Sequence, residues 1–146
     1  MSASSVVLRL RQGYAFDIDF GAGTAHLQTD EPPPLGQGDG PGPLQLLCAA
    51  VGNCMSASLL FALQKFKNDP QGLTATVSAE QGRNAEGRLR VLGLQVDIRI
   101  GAPAASLPQL DRILAQFEQF CTVGQSVASA IPLVLSVYDG LGEKLK

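Results

Sequence analysis

The most apolar stretch of the chain covers residues 43–67, and it carries no charge from position 44 to position 63. Apolar side chains fall on every side of a 3.6-residue helix, which is typical of a helix inside a protein or a membrane. About twenty apolar residues suffice to cross a bilayer. This stretch, however, has no basic flank before it and contains the polar residues Gln45, Asn53, Ser56 and Ser58. We therefore predict a buried central helix, with Cys54 near its midpoint, and no membrane span.

Alternating apolar and polar residues before this helix predict three β-strands. The first covers residues 6–11, the second residues 14–20, and a weaker third strand residues 24–29. The short links between them predict an antiparallel meander. The next segment, residues 31–43, contains five prolines and four glycines, which excludes helix and strand. Because proline stiffens the chain, we predict an ordered loop that leads into the central helix.

The same alternation predicts two further strands after the central helix, over residues 74–80 and 92–100. The parity of the apolar positions switches near Gly93, which predicts a β-bulge there. Apolar residues at helical spacing then predict an amphipathic helix over residues 107–120, capped by Ser106.

Thr122 and Gln125 have the spacing of a capping box, which predicts a short helix that begins at this point. A last strand is predicted over residues 133–137, and the polar tail, residues 140–146, is expected to fray. The predicted order is β-β-β-α-β-β-α-α-β, an α+β fold. By its length the chain is a single domain, residues 1–146.

The composition is that of an ordinary globular protein, with 45% hydrophobic and 16% charged residues. The net charge of −2 gives no sign of a nucleic-acid partner, which would need a clustered basic face. The first residues lack the charged and apolar regions of a signal peptide, so we predict a cytoplasmic protein. Three cysteines, one histidine and no CxxC pair favour reactive thiols or core residues over a disulfide framework or a metal site.

The three cysteines have different settings. Cys48 lies among leucines and alanines, which favours a small core residue. Cys54 has small and polar neighbours that leave room above its sulfur, although its spacing also fits a core residue. Cys121 directly precedes a predicted helix start, whose N–H groups and dipole stabilise a thiolate. It also fits a residue that merely closes the preceding helix. For Cys54 and Cys121 both interpretations stay open at this point.

Two segments resemble the OsmC/Ohr family of thiol peroxidases. They are DEPPPLGQGDGPGPLQLLCAAVGNCMSASLL, which contains Cys54, and FCTVGQSV, which contains Cys121. The predicted order of elements also matches this family's subunit, so the resemblance covers nearly the whole chain. It implies an intertwined homodimer with buried central helices and with active sites at the subunit interface. It also implies that organic hydroperoxides are the substrates.

By this resemblance, Cys54 aligns with the family's peroxidatic cysteine and Cys121 with its resolving cysteine. The first thiolate attacks the peroxide and becomes a sulfenate, and the second thiol captures the sulfenate as a disulfide. An external thiol then restores the enzyme, and no cofactor or metal takes part. The resemblance therefore predicts a cytoplasmic peroxidase with an antioxidant role in the stress response.

The chain departs from the family's pattern at three points. Gln45 stands where peroxidases of the family carry a glutamate, Thr122 stands where they carry a proline, and no arginine lies between positions 24 and 82. The family uses a loop arginine to ionise the thiol, so we expect Cys54 to titrate near an unperturbed cysteine, at roughly pH 8.5. The groups that would change this expectation are Asn53, Ser56, backbone N–H groups, Arg83, Arg88 and Arg90.

These departures leave two other functions open. One is a non-catalytic member of the same fold that binds an apolar small molecule in the interface pocket. The other is a redox sensor or a partner-binding protein, which needs no fast turnover. The retained pair of Cys54 and Cys121 favours the enzyme.

Overall fold

The computed structural model describes residues 4–146, and the chain divides into two compact units, residues 1–47 and 48–146. The described part is a mixed α+β fold with two three-stranded sheets and three α-helices. Its elements follow the order β-β-β-α-β-β-α-α-β, so the predicted fold class is confirmed. The division between the two units falls inside the first α-helix.

The first unit contains an antiparallel meander, as predicted. Strand β1 covers Val7–Gln12, β2 covers Ala15–Asp19 and β3 covers Leu27–Thr29, and they pair in the order β1-β2-β3. β3 is shorter than predicted because the connection after β2 is longer. In that connection the N–H of Thr24 donates to the carbonyl of Gly21 at 3.2 Å, which closes a turn.

The loop after β3 is ordered around one buried carboxylate, that of Asp30, which is 4% exposed. Its oxygens accept hydrogen bonds from the backbone N–H groups of Gln37, Glu31 and Asp39. These donors, the Gln37 N–H most strongly, hold the pKa of Asp30 below its ordinary value. A Cβ at Gly36 would lie 2.3 Å from Asp30 Oδ1, so the loop closes in this way only around a glycine. The loop is thus ordered, as the sequence predicts.

The central helix, α1, covers Pro43–Lys65. Pro43 occupies the first turn, where a backbone N–H has no acceptor within the helix, so the missing N–H of proline costs no hydrogen bond. The side chain of Gln45 turns back to the helix start, where its Oε1 accepts a hydrogen bond from the N–H of Gly42 at 2.9 Å. Gln45 therefore satisfies a backbone donor at the beginning of α1.

Helix α1 buries one side within the chain. The buried residues are Val51, Gly52, Met55, Leu59 and Leu63. Phe61, by contrast, is 70% exposed. By length and composition α1 is apolar enough to cross a membrane, a property that the core helices of soluble proteins share, and 28% of its most apolar window is buried in the chain. A partner that covers the rest of α1 stays a prediction.

The second unit contains the sheet β4-β5-β6, formed by Leu73–Arg83, Leu89–Ile100 and Leu133–Tyr138. β4 and β5 are antiparallel, and β6 runs parallel to β5. The register shifts next to Gly93, where Leu92 is the extra residue of a β-bulge, so the predicted bulge is confirmed. The core of this unit includes Met55, Leu59, Leu63, Val96, Ile98, Ile100, Ile113 and Phe117.

The connection from β5 to β6 is more broken than the predicted helix over residues 107–120. It contains a 3-10 turn at Ala104–Ser106, helix α2 at Leu110–Gln116, a 3-10 turn at Phe117–Phe120 and helix α3 at Thr122–Ala128. The predicted amphipathic helix therefore exists, but its regular part begins later and ends earlier.

Pro108 explains the later start of α2. A residue before proline is disfavoured in the α region, and Leu107 accordingly adopts φ −113° and ψ 89°. The predicted cap at Ser106 is wrong, because its hydroxyl donates to the carbonyl of Pro103 at 2.8 Å.

The tail folds back onto β6, so the expectation that it frays is wrong. The N–H of Leu145 donates to the carbonyl of Val137, and the N–H of Val137 donates to the carbonyl of Lys146. The ammonium of Lys146 also donates to the carbonyl of Leu114 at 2.7 Å and pairs with Glu118. Polarity alone does not show these backbone partners, which is why the sequence suggested a free end.

Asp139, at the end of β6, is a buried carboxylate that ties this tail to the segment after β5. It accepts hydrogen bonds from the N–H groups of Ala104, Leu141 and Glu143, each at 2.9 Å. These donors, that of Ala104 most strongly, hold the pKa of Asp139 below its ordinary value. Its contribution to stability is therefore present above the ordinary carboxyl pKa of about 4 and is lost as the pH falls through the lower folded-state value.

We expect Asp139→Asn to lower the Tm by several degrees at neutral pH, because asparagine offers one acceptor oxygen and no charge to these donors. The difference from the wild type should shrink as the pH falls below about 4. Thermal unfolding followed by circular dichroism checks this expectation. Asp111→Asn, at an exposed position of α2, is the control. Equal pH profiles for the wild type and Asp139→Asn would contradict the role of Asp139.

Candidate active site

The structure brings two of the three thiols together. Cys54 lies in the middle of α1, and Cys121 lies directly before α3, 67 positions further along the chain. Cys54 is half-buried, whereas Cys121 is 0% exposed. The two thiols lie close enough for each to shift the pKa of the other. The two cysteines singled out in the sequence therefore form one local arrangement within the second unit.

Cys121 is itself the cap of helix α3. Its Sγ accepts a hydrogen bond from the N–H of Gly124 at 3.3 Å, as an N-cap side chain does. The predicted helix start is confirmed, but the predicted capping box of Thr122 and Gln125 is wrong. The side chain of Gln125 donates instead to the carbonyl of Glu118 at 3.1 Å. The capping geometry fixes the sulfur of Cys121 over the first turn of α3.

The environment of Cys54 favours its thiolate. Burial raises the pKa of this thiol. The N–H of Val123, the thiol of Cys121 and the N–H groups of Gly124 and Thr122 together outweigh burial, and the pKa lies below its ordinary value. Backbone N–H groups, one of the alternatives named from the sequence, therefore lower the pKa of this thiol. Neutral donors at the start of α3 thus lower the pKa of Cys54, an effect that the family pattern assigns to an arginine.

The environment of Cys121 has the opposite effect. Burial raises the pKa of Cys121, and its hydrogen bond to Cys54 and the negative charge of the Cys54 thiolate raise it further. The N–H of Gly124 and the hydroxyl of Ser58 lower it, but less strongly. The pKa values of the two thiols are therefore shifted in opposite directions, that of Cys54 down and that of Cys121 up.

The three arginines considered as activators are occupied in the β4–β5 hairpin. Arg83 donates to the carbonyl of Gly87, and Arg90 donates to the carbonyl of Leu89. Arg88 pairs with a glutamate of the same turn at 3.4 Å. In this chain they hold the hairpin and do not figure among the groups that shift the pKa of Cys54.

Cys48 and Asn53 lie in a different place from the thiol pair. They line a shallow groove of about 330 Å³, together with Ala49, Gly52, Ser56, Ala75 and Val77. Burial raises the pKa of Cys48, so this thiol is less reactive than Cys54. Asn53 and Ser56 therefore are not the donors that activate Cys54. Within residues 4–146 no cluster of histidine, cysteine, aspartate or glutamate side chains is suited to hold a metal ion.

Three contributors were not identified by residue in the sequence: the N–H groups of Val123 and Gly124, and the hydroxyl of Ser58. A backbone donor has no signature in the residue type. Ser58, however, stands four positions after Cys54, and residues at this spacing are neighbours on one helix face. That spacing was available from the sequence.

We expect the alkylation of Cys54 by iodoacetamide to have its midpoint at a lower pH than the alkylation of Cys48. The lowered pKa of Cys54 means that its reactive thiolate persists to lower pH. Peptide-resolved mass spectrometry measures Cys54 and Cys48 in the same sample, so that Cys48, with its raised pKa, is the internal reference. A midpoint for Cys54 at or above that of Cys48 would contradict this account.

We expect Gly124→Ala to slow formation of a Cys54–Cys121 disulfide by roughly tenfold to a hundredfold, since small misplacements of reacting groups have effects of this size. A Cβ at Gly124 would lie 2.7 Å from Cys121 Sγ and 2.9 Å from Met55 Cε, so the sulfur must move. Acid-quenched peptide mapping after diamide addition gives the rate. Gly93→Ala is the matched control, because its nearest contact would be an ordinary 3.6 Å. Equal rates for the two variants would exclude a positional role for Gly124.

Residues 36–136, well over half of the chain, match the sequence profile of the OsmC-like protein family. The chain therefore belongs to the OsmC-like protein family. The matched region contains both Cys54 and Cys121. No curated protein sequence matches the chain significantly.

The fold is similar to that of several solved structures. An OsmC-like protein of unknown function from Vibrio cholerae is 18% identical with a TM-score of 0.79, over 94% of this chain and 99% of that chain. Organic hydroperoxide resistance proteins from Legionella pneumophila and Elizabethkingia anophelis are each 16% identical, with TM-scores of 0.72 and 0.73. Both alignments cover 94% of this chain and 98% of the other chain. These likenesses show the OsmC-like fold.

Proposed function

We propose that this chain is a thiol-dependent peroxidase that reduces organic hydroperoxides through a Cys54 sulfenate and a Cys54–Cys121 disulfide. The observation that supports this function best is the unequal pair of sulfurs. Cys54 is half-exposed with a lowered pKa, and Cys121 is fully buried with a raised pKa. A peroxidase of this kind needs one thiolate that attacks the peroxide and a second thiol that waits beside it.

In the first step the Cys54 thiolate attacks the terminal oxygen of the hydroperoxide ROOH. The O–O bond breaks, Cys54 becomes a sulfenic acid, and the alkoxide takes up a proton and leaves as the alcohol ROH. The N–H groups of Thr122, Val123 and Gly124 hold the sulfur as a thiolate before the attack. They take the role that the family resemblance assigns to the loop arginine.

In the second step the sulfur of Cys121 attacks the sulfenic sulfur of Cys54. The S–S bond forms as the S–O bond breaks, the proton of Cys121 is released, and the departing hydroxide takes up a proton to leave as water. An external dithiol then reduces the disulfide and is itself oxidised to a disulfide. Because Cys121 is fully buried, the reductant reaches the disulfide at the sulfur of Cys54.

Two comparisons support organic hydroperoxides as the substrate class. The chain belongs to the OsmC-like protein family. Its fold is similar to that of two proteins named for organic hydroperoxide resistance. The thiol pair of this chain supplies the chemistry that such a substrate needs.

The test is the consumption of cumene hydroperoxide by the purified protein in the presence of dithiothreitol or dihydrolipoamide. We expect many turnovers per protein. After one equivalent of peroxide without reductant, peptide maps should show the Cys54–Cys121 disulfide with Cys48 reduced. Consumption no faster than in the absence of protein would overturn the proposed function.

Two observations favour the rival functions. Gln45 is neutral and bonds to the N–H of Gly42 at the start of α1. Arg83 and Arg90 bond to carbonyls of the β4–β5 hairpin, so they do not act as charged activators of Cys54 in this chain. A redox sensor would form the Cys54–Cys121 disulfide with peroxide but show no sustained turnover. A binder of apolar small molecules would show neither and would gain thermal stability from such a ligand. The same peroxide assay therefore separates the three functions.

A further inference from the structure

Cys121 follows directly after a short 3-10 turn, Phe117–Phe120, which joins α2 to α3. A 3-10 turn has poorer hydrogen-bond geometry than an α-helix and is less firmly held by its own backbone. The position of the Cys121 sulfur therefore depends on contacts that fix this turn from outside. Those contacts meet at Glu118.

The backbone carbonyl of Glu118 accepts two hydrogen bonds. The N–H of Cys121 donates to it at 3.0 Å, and the side-chain amide of Gln125 donates to it at 3.1 Å. The backbone N–H of Gln125 also donates to the carbonyl of Cys121 at 2.9 Å. The backbone of Cys121 is therefore held on one side by Glu118 and on the other by Gln125.

The carboxylate of Glu118 is held by Lys146. The ammonium of Lys146 pairs with this carboxylate and donates a hydrogen bond to the carbonyl of Leu114 in α2 at 2.7 Å. It also lies 5.8 Å from the centroid of the Phe117 ring. The side chains of Lys146 and Glu118 are 34% and 28% exposed, so solvent screens this pair only in part. The ammonium thus bridges the last turn of α2 and the 3-10 turn before Cys121.

The backbone of Lys146 is fixed on the core of the second unit. Its N–H donates to the carbonyl of Val137 at 3.3 Å, and its carbonyl accepts from the N–H of Val137 at 3.1 Å. Val137 lies in β6 and is 0% exposed. A chain of contacts therefore runs from this core strand through Lys146 to Glu118, and from Glu118 to the backbone of Cys121.

We propose that Glu118 is a positioning residue that fixes Cys121 beside Cys54, with Lys146 as its anchor on the core. The proposal rests on the proposed function, since it concerns the second cysteine of the same site. Glu118 takes no part in the transfer of protons or electrons. It acts through the backbone of Cys121, because two sulfurs form a bond quickly only when the fold holds them in the geometry of the reaction.

Lys146→Met tests the proposal, because methionine keeps an apolar stem and removes the ammonium. Lys146→Arg restores a cation with N–H donors, and Lys144→Met, at an exposed lysine of the same tail, is the matched control. Diamide oxidises the two thiols to the disulfide without peroxide and takes up their two electrons and two protons. Acid-quenched peptide maps give the rate, and circular dichroism at the same temperature checks that each variant is folded.

We expect Lys146→Met to slow disulfide formation by about fivefold to tenfold, less than the roughly hundredfold effect of a misplacement by about 1 Å. Lys146→Arg should recover most of the rate, and Lys144→Met should behave as the wild type. Glu118→Gln should have an effect of similar size, and it carries the same test if Lys146→Met does not fold. The double variant should be no slower than the slower single variant, because the two side chains act through one contact. Multiplied effects in the double variant would overturn the proposal.

The equilibrium of the disulfide with glutathione provides a readout that a loss of global stability does not move. It measures the effective concentration of the Cys121 thiol at Cys54 in the folded chain, which should fall by about fivefold to tenfold in Lys146→Met. A lower Tm with an unchanged rate and an unchanged equilibrium would show that Lys146 and Glu118 only stabilise the fold, and would overturn the proposal.

These measurements keep the role of Glu118 separate from the peroxidase proposal, because neither of them uses peroxide. A wild type that consumes no peroxide, together with slower disulfide formation in Lys146→Met, would remove the peroxidase function and support Glu118. An active peroxidase whose rate of disulfide formation is unchanged in Lys146→Met and Glu118→Gln would remove the role of Glu118. The absence of a Cys54–Cys121 disulfide after diamide in the wild type would remove it as well.

Discussion

Replacing Cys54 by serine should reduce the turnover of organic hydroperoxide by at least about a thousandfold, the scale on which the loss of a nucleophile is felt. The alcohol of serine is a far weaker nucleophile than a thiolate unless an adjacent base activates it, and the groups around Cys54 are donors, not bases. Peroxide consumption with dithiothreitol, measured at several pH values, provides the comparison.

The other two cysteine variants give the matched controls. Cys121→Ser should still form the Cys54 sulfenate at nearly the wild-type rate. It should form no intramolecular disulfide and should be overoxidised to the sulfinic acid by excess peroxide. Cys48→Ser should retain most of the activity, because Cys48 lines a separate groove. Loss of activity in Cys48→Ser together with full activity in Cys54→Ser would show that the wrong thiol has been assigned.

Replacing Phe61 by glutamate should convert a homodimer into monomers. Phe61 is 70% exposed on the largely apolar helix α1, and β1 also exposes Val7, Leu8 and Leu10. These surfaces are consistent with the predicted homodimer, in which a second copy covers them. Burial of one phenylalanine contributes about 1.5–3 kcal/mol. A two-fold interface buries it twice, so the dimer Kd should rise by about a hundredfold to ten-thousandfold.

Light scattering coupled to gel filtration at micromolar protein measures this effect. The wild type should elute with about twice the chain mass, and Phe61→Glu with the mass of one chain. Gln116→Glu adds the same charge at an exposed position of α2 and should stay dimeric. A folded wild-type monomer under these conditions would reject the homodimer, and an unfolded Phe61→Glu monomer would indicate that the chain is stable only as a dimer.

The sequence was sufficient for the architecture because its patterns are long. The uncharged run of α1 extends over more than two helical turns, and the alternation along β5 extends over more than five strand positions. The switch in the parity of the apolar positions located the bulge next to Gly93. The start of α2 was mistaken because Ser106 has the residue type of a cap, whereas Pro108 excludes the helical conformation of the residue before it.

The sequence was less informative about the site. It singled out Cys54 and Cys121 and named backbone N–H groups among the possible donors, but it did not show which ones, since they belong to residues 68–70 positions further along the chain. Capping rules name serine, threonine, aspartate and asparagine, so they selected Thr122 and overlooked the sulfur beside it. An arginine is visible in a sequence and an N–H group is not. The sequence therefore left open whether any donor reaches Cys54.

The connection from β5 to β6 places Cys121 beside α1, a helix that comes much earlier in the chain. A disulfide between Cys54 and Cys121 therefore closes a loop of about 70 residues, and the chain-entropy model gives such a loop about 4 kcal/mol of stabilisation. By thermodynamic linkage, the effective concentration of the Cys121 thiol at Cys54 is about a thousandfold higher in the folded chain than in the unfolded chain. In the proposed cycle, oxidation by peroxide would therefore give the more stable form of the protein, and each reduction would return it to a chain that unfolds more easily.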